Sequence, residues 1–160
     1  MFRLLSAITR RASFITLALT LPLLAGCEGI FDPDYNEERD YERARDRWYS
    51  TRAIEYEVTV DRRCECLYTG PIRMLVRDGV PVAAVDRYSG APVPLNVLRY
   101  YPSVEELFDL IDEAIYGRSH DIDVSYDASY GYPRVTYIDY DQFYTDDDLQ
   151  FDVRELRVIR

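Results

Sequence analysis

Two cysteines separated by one residue are the first candidates for chemistry in this chain. Cys64 and Cys66 would point the same way if the strand before them continued, because alternate residues of a strand share a face. Alternate Cα atoms of a flat strand lie near the upper limit of about 6.8 Å for a disulfide, so a bridge requires a bend or bulge. In an oxidising compartment the pair favours a structural disulfide. A redox-active pair is the alternative, although no basic or helix-terminal activation of a thiolate is visible.

A run of aspartates near the C-terminal end is the second candidate. Its members are Asp139, Asp141, Asp146, Asp147 and Asp148. Several carboxylates on one loop can bind calcium, which takes about six to eight oxygen ligands, and calcium is the only cofactor for which the sequence suggests ligands. The spacing differs from that of an EF-hand loop, because the run has neither a central glycine nor a closing glutamate. The alternative is a solvated acidic hairpin end that forms Asx turns.

The single histidine, His120, lies between Ser119 and Asp121. A catalytic triad is assembled from distant positions, so three consecutive residues do not predict one. A zinc site needs about four ligands, and one histidine with two cysteines falls short. The chain also lacks a glycine-rich phosphate loop. The sequence therefore predicts no catalytic residue and no enzyme, and a hydrolase is the least favoured function.

Tyrosine is the residue type that most strongly suggests a binding surface. All 15 tyrosines follow the first 26 residues, and the densest groups lie in the second half of the chain. The predicted surface consists of Tyr126, Tyr130, Tyr132, Tyr137 and Tyr140. A tyrosine ring offers a large contact area with a polar tip, which suits binding patches. The alternative is that these residues are strand tyrosines with half-buried rings.

The hydrophobic pattern predicts the elements that would position these residues. Apolar residues at helical spacing over 35–51 predict an exposed helix that begins near Asp34. Ser103 and Glu106 form a capping box, and the broad apolar face that follows predicts a second helix ending at Gly117. Alternation and turn signals predict six strands, at 54–60, 72–76, 80–85, 122–126, 134–140 and from 149 to 153 or beyond.

These elements predict an α+β fold with the order αβββ-αβββ. The expected architecture is an antiparallel sheet with the two helices on one face. The two halves share a local pattern in which a strand leads to Gly70-Pro71 in the first half and to Gly131-Tyr132-Pro133 in the second. This echo is explained equally well by a diverged duplication and by two meanders built by the same rules.

The N-terminal residues 1–26 have the three parts of a secretory signal: a basic start, a short apolar stretch and small residues before a cleavage site. The apolar stretch is shorter than the roughly 20 residues that a transmembrane helix needs. The run Leu24-Ala25-Gly26-Cys27 resembles a bacterial lipobox, whose cysteine is lipidated and becomes the mature N-terminus. Residues 27–34 would then be the lipidated N-terminus and a short tether, and 35–160 a single domain.

Lipidation of Cys27 predicts attachment to the cell envelope, because several acyl chains such as palmitate together hold a protein stably on a membrane. Glu28 follows the cysteine, and an Asp at this position would retain a proteobacterial lipoprotein in the inner membrane. The resemblance therefore implies the outer membrane, with the domain facing the periplasm. In a bacterium with a single membrane, the same anchor would hold the domain on the outer face of the plasma membrane.

Charge excludes several classes of partner. Three of the 19 basic residues and none of the 29 acidic residues lie in 1–26, so the remainder has 16 basic against 29 acidic residues. This balance argues against nucleic acid, whose binding is driven by basic charge. It also argues against a basic patch that docks on anionic lipid head groups. The apolar share of 48% excludes a disordered chain of low hydrophobicity.

Together these motifs resemble the bacterial lipoproteins that carry domain of unknown function 6174. The motifs that carry the resemblance are Tyr56, Cys64-Glu65-Cys66, Gly70-Pro71, Val76-Arg77-Asp78-Gly79, the helix run from Leu107 to Ala114, Tyr126-Asp127, Gly131-Tyr132-Pro133, Ile138-Asp139-Tyr140-Asp141 and Asp146-Asp147-Asp148-Leu149. They span roughly 50–155, and Asp148 stands where Glu is expected. The resemblance implies a secreted or anchored domain with no established activity, and it adds no catalytic residue.

The sequence therefore predicts a non-enzymatic binding module that is anchored to the envelope through the lipid on Cys27 and interacts with another envelope protein. A calcium-responsive structural lipoprotein that uses the aspartate loop is the alternative. A thiol–disulfide redox role for Cys64 and Cys66 is the third hypothesis.

Overall fold

Six antiparallel strands form one sheet with helices packed against it. The computed structural model describes residues 33–64, 66–117, 119–143 and 148–160. The elements are α1 (Pro33–Ser50), β1 (Glu55–Arg63), β2 (Gly70–Arg77), β3 (Val80–Asp86), α2 (Leu95–Leu98), α3 (Val104–Gly117), β4 (Asp121–Tyr126), β5 (Pro133–Asp139) and β6 (Leu149–Val158). The strand order across the sheet is β3-β2-β1-β6-β5-β4.

The α+β class and the antiparallel sheet confirm the prediction, while the element order differs from it. A four-residue helix, α2, lies between β3 and α3, where the hydrophobic pattern predicts no helix or strand. It follows Pro94, whose backbone is extended, and it buries Leu98, so one apolar contact holds the turn in place. Strand β6 extends beyond Val153 to Val158, because its second half pairs with the start of β1.

The topology does not place the two halves of the chain in equivalent positions. Strands β1 and β6 are neighbours and run antiparallel, so β4 also runs antiparallel to β1. Two copies of one unit set side by side by a shift of three strands would have β1 and β4 parallel. The strand directions therefore favour two separate meanders over a tandem duplication.

The core lies between the sheet and the helices α1 and α3. Three of the even-numbered residues of β1 are buried on this side: Tyr56, Val58 and Val60. The apolar stripe predicted for α1 is also buried: Tyr41, Ala44 and Trp48. The Trp48 ring meets the Tyr56 ring edge-on, with centroids 5.2 Å apart, and Tyr41 meets Phe108 of α3 at 6.0 Å. Both helices thus bury aromatic residues in one core.

The predicted capping box fixes the start of α3. The backbone N–H of Glu106 donates to Ser103 Oγ at 3.2 Å, and the backbone N–H of Ser103 donates to Glu106 Oε2 at 2.8 Å. These two bonds satisfy donors that a helix start otherwise leaves without a partner. Residues just inside this start, Val104 and Glu105, contact Tyr56, so the cap also sets where α3 crosses the sheet.

The opposite face of the sheet carries ion pairs as well as exposed apolar side chains, among them Val135, which pairs with Asp152. Arg63 and Arg154 both reach Asp152, at 2.6 and 3.1 Å. Further pairs join Arg77 to Glu55, Arg157 to Glu57 and Arg87 to Glu155. No described helix packs on this face, and it is called the open face below. None of the described helices is long and apolar enough to cross a membrane.

Candidate functional site

A groove lies where α3 leaves part of the sheet uncovered. It has a volume of about 400 Å³. Its residues are Arg62, Arg99, Tyr100, Pro102, Glu106, Asp109, Leu110, Glu113, Leu149 and Phe151. The end of β1 and the start of β6 form its floor, α3 forms one wall, and the segment between α2 and α3 forms the other. We call it the α3 groove.

The floor of the α3 groove is apolar. Leu149 and Phe151 belong to β6, where Phe151 pairs with Arg62 of β1 and is almost fully buried. Leu110 of α3 adds a third apolar side chain, which is partly buried. A partner side chain placed here would cover apolar surface of Leu149 and Leu110, and burial of apolar surface is the main favourable term in association.

The α3 wall of the groove is acidic. Glu106, Asp109 and Glu113 lie on this flank, and α3 contains no basic residue. Burial, and to a smaller extent the carboxylate of Glu113, raise the pKa of Tyr140, so this tyrosine lies within electrostatic range of Glu113 but does not line the groove. Residues three and four apart on a helix are neighbours, so the three carboxylates form one negative strip along the groove.

The opposite wall holds two arginines against one tyrosine ring. The guanidinium carbon of Arg99 lies 4.8 Å from the centroid of the Tyr100 ring, and that of Arg62 lies 5.4 Å from it. Arg99 Nη2 also donates to the Tyr100 hydroxyl at 2.7 Å, and the Tyr68 ring stacks on Tyr100 at 5.3 Å. Cation–π contacts restrict both guanidinium groups, so the positive wall is ordered before any partner arrives.

The predicted cysteine pair supports this positive wall. Cys64 and Cys66 form a disulfide, and their Cα atoms lie 5.2 Å apart in a bend that follows the end of β1. The bend that a bridge between such close residues was expected to need is therefore present. The loop then brings the Tyr68 carbonyl oxygen to Arg62 Nη1, which donates to it at 3.0 Å. A redox role for the pair stays a prediction.

The five predicted tyrosines do not form one continuous surface. Tyr126 stacks on Phe108 on the helix side of the sheet and lines a separate cavity of about 100 Å³. Tyr137 pairs with Asp123 and with Gln150, on the open face. The two rings therefore lie on opposite faces of the sheet, because successive side chains of a strand alternate between its faces. The residue spacing alone does not predict this, since a bulge in the pairing of β4 with β5 shifts the register by one residue.

The other three predicted tyrosines lie at the two ends of β5. Tyr130 is exposed in the turn between β4 and β5, and Tyr132 packs partly against the core after that turn. Tyr140 follows the far end of β5, within electrostatic range of Glu113, but it does not line the α3 groove.

Two of the five predicted calcium ligands lie outside the described residues: Asp146 and Asp147. Asp139 Oδ1 accepts the backbone N–H of Asp141 at 3.1 Å, and Asp141 Oδ1 accepts that of Phe143 at 2.9 Å. These are the Asx turns of the alternative interpretation. In the described part of the chain, no three His, Cys, Asp or Glu side chains group as a metal site. Calcium binding stays a prediction.

Cys27, the predicted lipidation site, lies outside the described residues, as does the signal segment 1–26. His120 is exposed, directly before β4.

Sequence reasoning missed the residues that shape the groove. Arg62 and Arg99 are 37 positions apart in the sequence, but both contact the ring of Tyr100. Only the packing of the segment between α2 and α3 on the sheet brings them together. The available signal was the acidic flank of α3, where Glu106, Asp109 and Glu113 recur at helical spacing without a basic partner.

Comparison with known proteins gives one match. The model of a family of unknown function, DUF6174, matches residues 40–158, which include all the described strands and most of α1. No curated protein and no solved structure matches the chain.

Proposed function

The chain belongs to the DUF6174 family, whose function is unknown, and we propose from its own residues that it is a non-enzymatic, envelope-anchored interaction domain. Its partner would bind in the α3 groove.

The observation that carries this proposal is the combination of an apolar floor with ordered charged walls in one groove. Its volume of about 400 Å³ falls in the range of about 300–1,000 Å³ that ligand sites occupy. Leu149 and Leu110, which are only partly buried, supply most of the apolar contact beside the buried Phe151. Arg62 and Arg99 supply polar groups that lie against the ring of Tyr100. Ordered polar groups around a desolvated centre are the arrangement typical of binding hot spots.

The anchor is the second part of the proposal. Lipidation of Cys27 would attach the chain to the envelope, by default to the outer membrane facing the periplasm, and α1 begins only six residues later, at Pro33. So short a tether would keep the domain close to the lipid surface. The partner would then be a protein of the same membrane or of the adjacent space.

The anchor is tested by fractionating cells that express the wild type or Cys27→Ser. We expect the wild type in the membrane fraction and the variant in the soluble fraction, because removal of the thiol removes the acyl chains. A variant that stays with the membrane would contradict lipidation at this residue. Growth with a labelled fatty acid supplies a control, since only the wild type should become labelled.

The groove is tested by photo-crosslinking in living cells. A photoreactive amino acid replaces Asp109, which is exposed on the acidic wall, or Asp123, which is exposed on β4 at the open face. We expect an adduct of defined mass from the Asp109 position and none from the Asp123 position. The same adducts from both positions, or none from Asp109, would contradict a binding role of the groove.

A further inference from the structure

We propose that the occupant of the α3 groove is a short, extended polypeptide segment with a basic residue, an apolar residue and an acidic residue in that order across the groove. This inference rests on the proposed function and specifies the chemistry of its partner. The basic residue would face Asp109 and Glu113, the apolar side chain would lie on Leu149 and Phe151, and the carboxylate would face Arg62 and Arg99.

The carboxylates of the acidic wall repel one another and so destabilise α3, and a bound cation would reduce this repulsion. Asp109 and Glu113 are four residues apart on α3, and like charges at this spacing destabilise a helix. Glu106 extends the same strip, although one of its oxygens accepts the backbone N–H of Ser103. A lysine or arginine beside Asp109 and Glu113 would turn this repulsion into attraction.

The opposite wall of the groove holds two positive charges that repel each other in the same way. Arg62 and Arg99 both lie against the ring of Tyr100, so two positive charges are held close together. A planar guanidinium group presents parallel N–H donors that match the two oxygens of a carboxylate. A glutamate, an aspartate or a chain terminus beside this wall would offset the repulsion between the two arginines. The groove is thus negative on one side and positive on the other.

The shape of the groove favours a peptide segment over a folded domain. A groove of about 400 Å³ accommodates a few side chains, whereas two folded proteins need about 800 Å² of buried surface on each partner. The apolar floor lies between the two charged walls, so one apolar residue flanked by opposite charges matches all three parts. A free amino acid also carries both charges, and the experiment distinguishes it from a peptide.

The experiment titrates four end-blocked hexapeptides into the lipidated full chain in nanodiscs of phosphatidylcholine, which has no net charge. All four peptides contain the same central leucine, and they differ in the residues on either side of it: lysine with glutamate, two lysines, two glutamates or two glutamines. We expect the lysine–glutamate peptide to bind about fivefold to thirtyfold more tightly than the glutamine peptide, and the difference to shrink at high salt.

Charge exchange on the acidic wall supplies the decisive variant. Asp109→Lys combined with Glu113→Lys should move the preference to the peptide with two glutamates. The matched control, Asp121→Lys with Asp123→Lys, exchanges two exposed aspartates on β4 and should leave the order unchanged. A second acidic-wall variant, Asp109→Asn with Glu113→Gln, keeps the shape of both side chains and should reduce the lysine–glutamate preference without reversing it.

Several outcomes would overturn the inference. Equal affinity for the four peptides would show that the charged walls do not select, and tightest binding of the two-lysine peptide would indicate a purely cationic partner. No binding at millimolar peptide, or displacement of the peptide by free leucine at equal concentration, would exclude a polypeptide ligand. If an adduct forms at Asp109 in cells while the peptides fail this test, the proposed function stands and only the assigned chemistry fails.

Discussion

At the scale of single residues, the carboxylate of Glu105 joins three elements of the fold. Its Oε1 accepts the indole N–H of Trp48 at 3.0 Å, and its Oε2 accepts the hydroxyl of Tyr56 at 2.5 Å. The backbone N–H of Val104 donates to the same hydroxyl at 3.0 Å. Burial of Tyr56, reinforced by the charge of Glu105, raises the pKa of the phenol. Helices α1 and α3 are therefore both fixed to β1 through one carboxylate.

Glu105→Gln should destabilise the protein by about 1–3 kcal/mol. An amide has one acceptor oxygen where the carboxylate has two, so either Trp48 or Tyr56 would face an N–H₂ donor. The measurement is denaturant unfolding of the full chain. Glu113→Gln, an exposed change on the same helix, is the control and should stay within about 0.5 kcal/mol of the wild type. Equal stability of the two variants would contradict a structural role for Glu105.

At the scale of elements, the turn between β4 and β5 is fitted against α1. Gly131 has a φ of +85°, and a Cβ added to it would lie 2.3 Å from the carbonyl oxygen of Ala44 and 2.9 Å from Cβ of Arg47. Only glycine therefore combines this backbone conformation with so close an approach. This contact fixes α1 to the turn between β4 and β5, so the helix is an integral part of the folded domain.

Gly131→Ala should destabilise the protein more than Gly90→Ala. Both glycines have a positive φ, of +85° and +72°, but the space around Gly90 is open. The Gly90 variant should therefore show only the backbone cost of about 1–2 kcal/mol, while the Gly131 variant adds about 1–3 kcal/mol from the clash with α1. Thermal unfolding of both variants measures the difference. Equal losses would show that α1 moves aside without cost.

The disulfide loop is the element that connects the cysteine pair to the proposed site. Replacing Cys64 and Cys66 together with serine should loosen the loop that holds the Tyr68 carbonyl against Arg62. We expect weaker binding of the lysine–glutamate peptide, chiefly through faster dissociation, because the positive wall becomes less ordered. The peptide titration described above measures it. Unchanged affinity in the variant would assign the disulfide to fold stability alone.

At the scale of the whole molecule, charge is distributed unevenly over the two sides of the sheet. Seven arginines lie on or beside the open face: Arg63, Arg73, Arg77, Arg87, Arg154, Arg157 and Arg160. Most of them pair with carboxylates of β1 and β6, while the acidic residues of α3 have no basic residue on their own helix. The excess negative charge is therefore concentrated on the helix side, where the groove lies.

The free energy of unfolding should fall as the pH rises above about 10, because two tyrosines are buried in their protonated form. Burial raises the pKa of Tyr56 and of Tyr126 above the ordinary value of about 10. Both phenols therefore stay protonated in the folded state at a pH where they ionise in the unfolded state. Their contribution to the free energy of unfolding is fully present below about pH 10. Above that pH it decreases by about 1.4 kcal/mol per pH unit for each tyrosine.

Unfolding in denaturant between pH 9 and about 11.5, together with the absorbance of tyrosinate, measures this effect. Tyr56→Phe is the control, since a side chain that cannot ionise should flatten the dependence on pH. Ionisation of Tyr56 and Tyr126 in the folded protein near their ordinary pKa would contradict the prediction.

The sequence by itself determined α1, α3 and the six strands, because their signals are local, whereas α2 was not predicted. The capping box at Ser103, the stripe of Tyr41, Ala44 and Trp48, and the alternation in β1 each depend on neighbours within a few residues. The motifs also identified the family, which the match over 40–158 confirms. The bend at Cys64 and Cys66 was predictable for the same reason, since it follows from the geometry of two nearby residues.

Only the tertiary structure decided which side chains meet. Tyr126 and Tyr137 look alike in the sequence but lie on opposite faces, since one residue of strand register reverses the direction of a side chain. Arg62 and Arg99 meet at Tyr100 because a segment between two helices packs on the end of β1, and Glu105 meets Trp48 across 57 positions. Such contacts depend on strand order and helix placement, which short-range patterns do not encode.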